Sequence, residues 1–188
     1  MNEKIKGEKT DRTYEELIAA LKEYDREYDF EKINKAYEFA RKAHDGQKRK
    51  SGAPYITHPL TVAFILAKLG MDTDSICAAL LHDVVEDTPV SLEEVKKCFG
   101  NDVATLTDGV TKLGKIPFSS REEQQAENIR KMLLAMVGDI RVIIIKLADR
   151  LHNMRTMKFM PEQKRRDKAL ETMEVYAPIA HRLGIRTI

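Results

Sequence analysis

Four ionisable side chains fall within six positions of the segment Leu80-Leu81-His82-Asp83-Val84-Val85-Glu86-Asp87-Thr88, at the end of an apolar run that starts at Ile76. A histidine and an aspartate side by side can both turn towards one metal ion. If the helix of the apolar run continues, Glu86 lies one turn beyond His82 and Asp83 and projects to the same side. Burying that many polar groups without partners is costly. A metal ion with an activated water compensates the cost. The plain alternative is the charged end of an ordinary helix.

Three other segments carry chemistry. His58-Pro59 opens a helix, because proline suits the first helical turn, and this places His58 at the helix mouth as a ligand or as a simple cap. Asp149, Asn153 and Thr156 stand at i, i+4 and i+7 of a long apolar stretch and share one face. An aspartate on the buried side of such a helix needs a partner. Either His152, three positions on, is that partner, or Asp149 ligates a metal. The loop Gln47-Lys48-Arg49-Lys50-Ser51-Gly52-Ala53-Pro54-Tyr55 holds three consecutive cations that repel one another. A bound polyanion relieves that repulsion, and Arg49 can stack on a base plane as well as pair with phosphate. Ser51 and its neighbouring amides add hydrogen bonds. A solvated basic loop is the competing reading.

The elements that must position these groups read as helices throughout. Thr13 with Glu16 forms a capping box for a helix to about Arg26. A second helix runs from Phe30 and stops at Gly46, and a third runs from Leu60 to Leu69, closed by Gly70. Asp74 caps the fourth, which carries the His82 segment. Ser91 and Glu94 form another capping box before Val95–Phe99, and a further helix runs from Asn101 to about Thr111. Gly114–Arg121 reads as a mobile loop that moves with the nucleotide, and Ser120 with Glu123 caps a helix to Val137. Val142-Ile143-Ile144-Ile145 has strand propensity. The sequence continues at helical spacing to Met157 without a turn signal, so the spacing predicts one buried helix. Pro161 opens another helix to about Tyr176, Pro178 breaks or kinks it, and Ile179–Leu183 adds a short apolar turn. No segment alternates cleanly enough to be a strand, and the reading is all-α.

Composition sets the outer bounds. A chain of 188 residues, 43% hydrophobic and 33% charged, suits one globular domain with a real core. A net charge of +2 argues against a general nucleic-acid binder, so any attraction for anions is local. Cys77 and Cys98 lack metal or redox spacing and read as core thiols, which suits a reducing cytoplasm. The polar start excludes a signal peptide, and no apolar run approaches membrane-spanning length.

The order His58 … His82-Asp83 … Asp149 resembles the metal-binding pattern of the HD phosphohydrolase superfamily. Three extended segments narrow the resemblance. His44-Asp-Gly-Gln-Lys-Arg-Lys-Ser-Gly-Ala-Pro-Tyr-Ile-Thr-His58-Pro59, Leu81-His-Asp-Val-Val-Glu-Asp-Thr88 and Ile145-Lys-Leu-Ala-Asp-Arg-Leu-His-Asn-Met-Arg-Thr156 look like successive signatures of the RelA/SpoT enzymes. Val175-Tyr-Ala-Pro-Ile-Ala-His-Arg-Leu-Gly184 resembles the segment that leads towards a synthetase domain in the long members.

The resemblance implies an HD-domain helical bundle with a buried single-metal site. It also implies hydrolysis of the alarmone (p)ppGpp at the 3′-diphosphate, with manganese as the usual metal. Carried over, the metal ligands are His58, His82, Asp83 and Asp149, and Glu86 and Asp87 are the catalytic acidic pair. Arg49, Lys50, Ser51, Asn153 and Thr156 contact substrate. The expected organisation is an N-terminal extension and first helix over 1–29, the hydrolase domain over 30–176, and over 177–188 the start of a connection to a downstream synthetase. The chain then reads as a fragment of a longer bifunctional enzyme with possible regulatory domains. Neither a membrane nor direct nucleic-acid contact is expected. The competing readings are another HD-type nucleotide phosphohydrolase, or a hydrolysis-inactive domain that regulates the synthetase.

Overall fold

A computed structural model describes residues 11–114 and 138–185. The elements in order are α1 (Tyr14–Lys22), α2 (Phe30–Ala43), α3 (Thr57–Lys68), α4 (Thr73–Leu81), α5 (Val84–Asp87), α6 (Leu92–Phe99), α7 (Asn101–Gly114) and α8 (Ile140–Arg155). A 3₁₀ turn (Met157–Phe159), α9 (Glu162–Glu171), a π turn (Thr172–Tyr176) and α10 (Ala177–Arg182) complete them. Among the described residues there is no strand, only an isolated bridge between Lys48 and Pro54. The all-α expectation therefore holds. The helix expected from Ser120 to Val137, and nearly all of the loop before it, lie outside the described residues.

The sequence dictates which helices go inside. In α3 and α4 apolar residues recur on every side, and Leu60, Val62, Ala63, Leu66, Ile76 and Leu80 are all buried. A helix that is apolar all round has to be covered all round. α3 packs against α1, α4 and α8, and α4 against α2, α7 and α8. The β-branched run Val142–Ile145 is helical, and Asp139 caps it by accepting from the Arg141 amide at 2.9 Å. Packing against α3 and α7 overrides its strand propensity. α7 comes very close there: a Cβ on Gly109 would lie 2.8 Å from Val142 Cγ2, so that crossing needs glycine.

Both expected capping boxes form, at Thr13–Glu16 and at Ser91–Glu94. Several boundaries differ from the sequence reading. α1 ends at Lys22 rather than near Arg26, and α3 starts at Thr57 rather than Leu60. Asp72, not Asp74, caps α4, accepting from the Ser75 amide at 2.8 Å, while Asp74 pairs with Lys32 at 2.7 Å. Asp72 is the aspartate directly before the first helical residue, where an N-cap side chain can reach back. α4 ends at Leu81, and α5 is a separate single turn, so the run does not continue as one helix through Glu86. Pro178 does not end the last helix. Its ring crowds the carbonyl four residues earlier, at Glu174, and that residue lies in the π turn that widens the backbone before α10.

One guanidinium ties two helix starts together. Arg141 pairs with Asp139, the cap of α8, at 2.6 Å and with Asp72, the cap of α4, at 3.0 Å. α8 carries Asp149 and α4 leads into His82, two of the groups of the site.

Candidate metal centre

Three buried side chains converge between α3, α4 and α8. One ligand atom from each of His58, His82 and Asp149 lies within 4.8 Å of the others. His58 Nε2 is 3.2 Å from Asp149 Oδ1, and His82 Nε2 is 3.9 Å from the same oxygen. Asp83, at the break between α4 and α5, sets Oδ1 3.1 Å from His82 Nε2 and Oδ2 3.5 Å from His58 Nε2. The break is what lets adjacent residues face one point. His82 closes α4 from inside the core, and Asp83 turns with the chain.

The donor set tests whether a cation fits. His82 Nδ1 donates to the Ala79 carbonyl at 2.8 Å, which leaves Nε2 to face the cage. That Nε2 is fully buried and makes no hydrogen bond. A ring nitrogen without a proton, aimed at carboxylate oxygens, sets lone pair against lone pair. A divalent cation between them reconciles the arrangement. Imidazole and carboxylate together suit manganese, iron or zinc.

Electrostatics keep the donors in ligating form. Burial lowers the His58 pKa, against the pull of Asp149 and Asp83, so the ring is neutral near pH 7. Burial alone would raise the Asp149 carboxyl. The Lys146 ammonium at 2.8 Å instead holds it well below the usual carboxylate range. Asp149 also accepts from Asn153 Nδ2 at 2.6 Å.

The remaining expected residues form a rim. Arg49 donates to Asn153 Oδ1 at 3.1 Å, which links the basic loop to α8 and, through Asn153, to Asp149. The loop is a tight turn closed by Arg49 N–H to Ala53 O at 2.9 Å, with Gly52 at φ +86°. Lys50 and Ser51 are exposed on it. Arg49, Lys50, Ser51, Tyr55 and Thr156 line a cleft of about 210 Å³. Lys146, Asp149, Arg150 and Asn153, among others, line a second cleft of about 160 Å³.

Glu86 and Asp87 are exposed and stand outside the cage. Glu86 stands on the single turn α5, after the break at His82-Asp83. Its carboxylate and the Lys146 ammonium both come within 4 Å of the point where a Cβ on Gly114 would sit. Asp87 accepts from the Tyr55 hydroxyl at 2.8 Å, and the same hydroxyl is 2.9 Å from Asp83 Oδ2.

Two residues were not singled out from sequence, and a third was weighed in another role. Tyr55 bridges the cage and the acidic pair and stacks on His44 with ring centroids 4.6 Å apart. It lies inside the basic segment, but only the charges drew attention there. Lys146 stands three positions before Asp149, a spacing that makes helical ion pairs and could have revealed it. His152, weighed as the partner of Asp149, instead turns Nδ1 to His58 Nδ1 at 2.7 Å. Spacing along one helix cannot reveal a contact made across two.

Comparison with known proteins follows the same residues. Positions 36–186 match the family model described as HD domain. The chain is 53% identical over 175 residues to the bifunctional (p)ppGpp synthase/hydrolase SpoT of Escherichia coli K12, covering 93% of this chain and 25% of that protein. It is 58% identical over 149 residues to the guanosine-3′,5′-bis(diphosphate) 3′-pyrophosphohydrolase of Haemophilus influenzae, covering 79% of this chain and 22% of that one. It is also 58% identical over 156 residues to a GTP pyrophosphokinase of Streptomyces coelicolor, covering 83% and 18%. The chain thus spans about a quarter or less of these relatives. A solved structure, described as a metazoan ortholog of SpoT that hydrolyzes ppGpp, superposes with a TM-score of 0.65 at 28% identity. That match covers 85% of this chain and 99% of the other.

Proposed function

The chain belongs to the HD-domain family, and from that premise we propose that it hydrolyses (p)ppGpp at the 3′-diphosphate, releasing GDP or GTP and diphosphate. The observation that carries the reading is the cage itself: His58, His82 and Asp149 converge in the core with His82 Nε2 left unpaired. Similarity to relatives that bear this activity in their names supplies the substrate.

In this reading His58, His82, Asp83 and Asp149 hold a divalent cation, with manganese the preferred one. The bound cation supplies an activated water and positive charge against the phosphate oxygens. Glu86 accepts a proton from the attacking water as general base. The new bond joins the water oxygen to the phosphorus on the 3′-oxygen, the bond from that phosphorus to the 3′-oxygen breaks, and a proton goes to the 3′-oxygen. Asp87, fixed by Tyr55, positions Glu86. Arg49 and Lys50 hold the nucleotide, Arg49 leaving Asn153 to do so, and Ser51, Asn153 and Thr156 complete the contacts. Lys146 keeps Asp149 ionised.

Among the described residues no helix is long and apolar enough to cross a membrane. We place the enzyme in the cytoplasm, where the free thiols Cys77 and Cys98 stay reduced. We also read the chain as the hydrolase part of a bifunctional enzyme, with residues 30–176 as the catalytic domain. α1 adds Leu17 and Leu21 to the same core.

The deciding experiment incubates metal-stripped protein with ppGpp, with and without manganese, and quantifies GDP and diphosphate. Release of both only with manganese is the expected result. Turnover of other nucleotides but not ppGpp would favour a different HD phosphohydrolase. Nucleotide binding with bound metal and no release would favour a regulatory domain.

A further inference from the structure

The two cage imidazoles are held in different ways. His82 Nδ1 donates to a backbone carbonyl, that of Ala79. A carbonyl oxygen only accepts, so that contact fixes the tautomer of His82 by itself. His58 Nδ1 faces another ring nitrogen, His152 Nδ1, at 2.7 Å, with the rings stacked at 4.9 Å between centroids and both residues buried. Only one proton fits between two nitrogens at that distance. Two arrangements satisfy the contact. In one, His152 Nδ1–H donates to His58, and His58 carries its proton on Nε2, 3.2 Å from Asp149 Oδ1. In the other, His58 Nδ1–H donates to His152, and His58 Nε2 is free to ligate. The pair is neutral in both arrangements.

We propose that His152 is a positioning residue for the metal centre, because its Nδ1 accepts the His58 Nδ1–H and so commits His58 Nε2 to the cation. This rests on the metal reading of the cage. His152 touches neither metal nor substrate and acts through His58. In the second arrangement its own proton sits on Nε2, whose neighbour Asp11 Oδ1 is 3.7 Å away, beyond hydrogen-bond length. Outer partners of this kind set the orientation and basicity of a ligand, and their loss typically costs about 10–100-fold in metal affinity. The backbone holds His82 whatever side chains surround it, whereas His58 depends on one residue of α8. α8 also carries Asp149, so a single helix supplies one ligand and orients another.

The test uses two substitutions and a spectrum. In His152→Asn the side-chain oxygen takes the place of Nδ1 and accepts the same proton. In His152→Leu the volume is kept and the acceptor is lost. Manganese affinity is measured by calorimetry, with the metal-free melting temperature as a check on folding. The expected result is a 10–100-fold weaker affinity for the leucine variant and an affinity within a few-fold of wild type for the asparagine variant. A merely structural role would lower both melting temperatures and would not separate the two affinities. Long-range 1H–15N spectra of the zinc-loaded wild type should place the shared proton on His58 Nδ1. A shared proton on His152, equal affinities for leucine variant and wild type, or equal losses in both variants would each overturn the proposal. Wild-type protein that binds no metal would overturn the cage reading itself, and the proposal with it.

Discussion

The cage and the rim of the site differ in how much the fold has decided for them. His58, His82 and Asp149 are buried at 1%, 2% and 5% exposure, and they sit on helices that the core holds from several sides. Glu86, Asp87, Lys50 and Ser51 are exposed on a one-turn helix and a loop. Burial means that each cage group had to find partners, and one partner vacancy, at His82 Nε2, marks the place for a cation. Exposure means that the rim groups need no protein partner and are free to meet a substrate. On the proposed reading, function is divided by depth: metal affinity belongs to the packing, and turnover and substrate affinity belong to the rim.

The comparison breaks first if a cage substitution spares activity. His82→Ala should abolish metal binding and lower turnover by at least about 1,000-fold, measured as diphosphate release with metal content by elemental analysis. It should also cost the metal-free protein about 2–4 kcal/mol, because it removes the Nδ1 hydrogen bond to the Ala79 carbonyl and leaves a cavity in the core. Asp149→Ala should lose metal as well, and in addition about 3–5 kcal/mol of stability, because it leaves the Lys146 ammonium buried without its counter-charge. Urea melts of metal-free Asp149→Ala and of Asp149→Ala with Lys146→Met check this: the second change should recover most of the loss, and no recovery would mean that Lys146 finds another partner.

The next effect belongs to the rim. Glu86→Gln should keep the metal and lose about 100- to 10,000-fold in turnover, the usual contribution of a general base. Near wild-type turnover would remove Glu86 from that role and point to Asp87. A smaller effect is expected at Arg49. Arg49→Ala should raise KM by about tenfold with little change in kcat, as expected for loss of a contact made equally in ground and transition states. An unchanged KM would remove Arg49 from the site.

These expectations follow the line between what sequence made legible and what it did not. His58, His82 and Asp149 were legible because ligand-type residues on apolar helices have few other reasons to be there. Helix α8 was legible despite Val142–Ile145, since the pattern beyond them keeps helical spacing. The break at His82-Asp83 was not, because no glycine or proline marks it. It arises where the chain leaves the core to give both side chains one target. With the break hidden, Glu86 was read as part of one continuous helix with His82. The His58–His152 contact was hidden for another reason: it joins α3 to α8, and nothing in either local pattern encodes it.

The smallest effect concerns the frame that ties together two of the three cage helices, α4 and α8. Arg141→Gln removes the cation shared by Asp139 and Asp72 while leaving both caps in place. The guanidinium is partly exposed, so the cost should be only about 1 kcal/mol. Its pH dependence carries a sign. The Asp139 carboxyl is held below its usual range mainly by the Arg141 hydrogen bond. Burial would raise the Asp72 carboxyl, but its hydrogen bonds to Ser75, with those from Arg141, leave it lowered too. A depressed carboxyl contributes stability that is complete above the unfolded value, about 3.9, and fades as pH falls through the folded one. The melting-temperature gap between wild type and Arg141→Gln should therefore be constant from pH 7 to about 5 and narrow below about 4. Metal affinity should change little, since the acidic partners of Arg141 are Asp139 and Asp72 and neither is a cage residue. If affinity instead falls as far as it does in a cage variant, alignment of the helix starts is part of the metal site, and the division between packing and chemistry drawn above is too sharp.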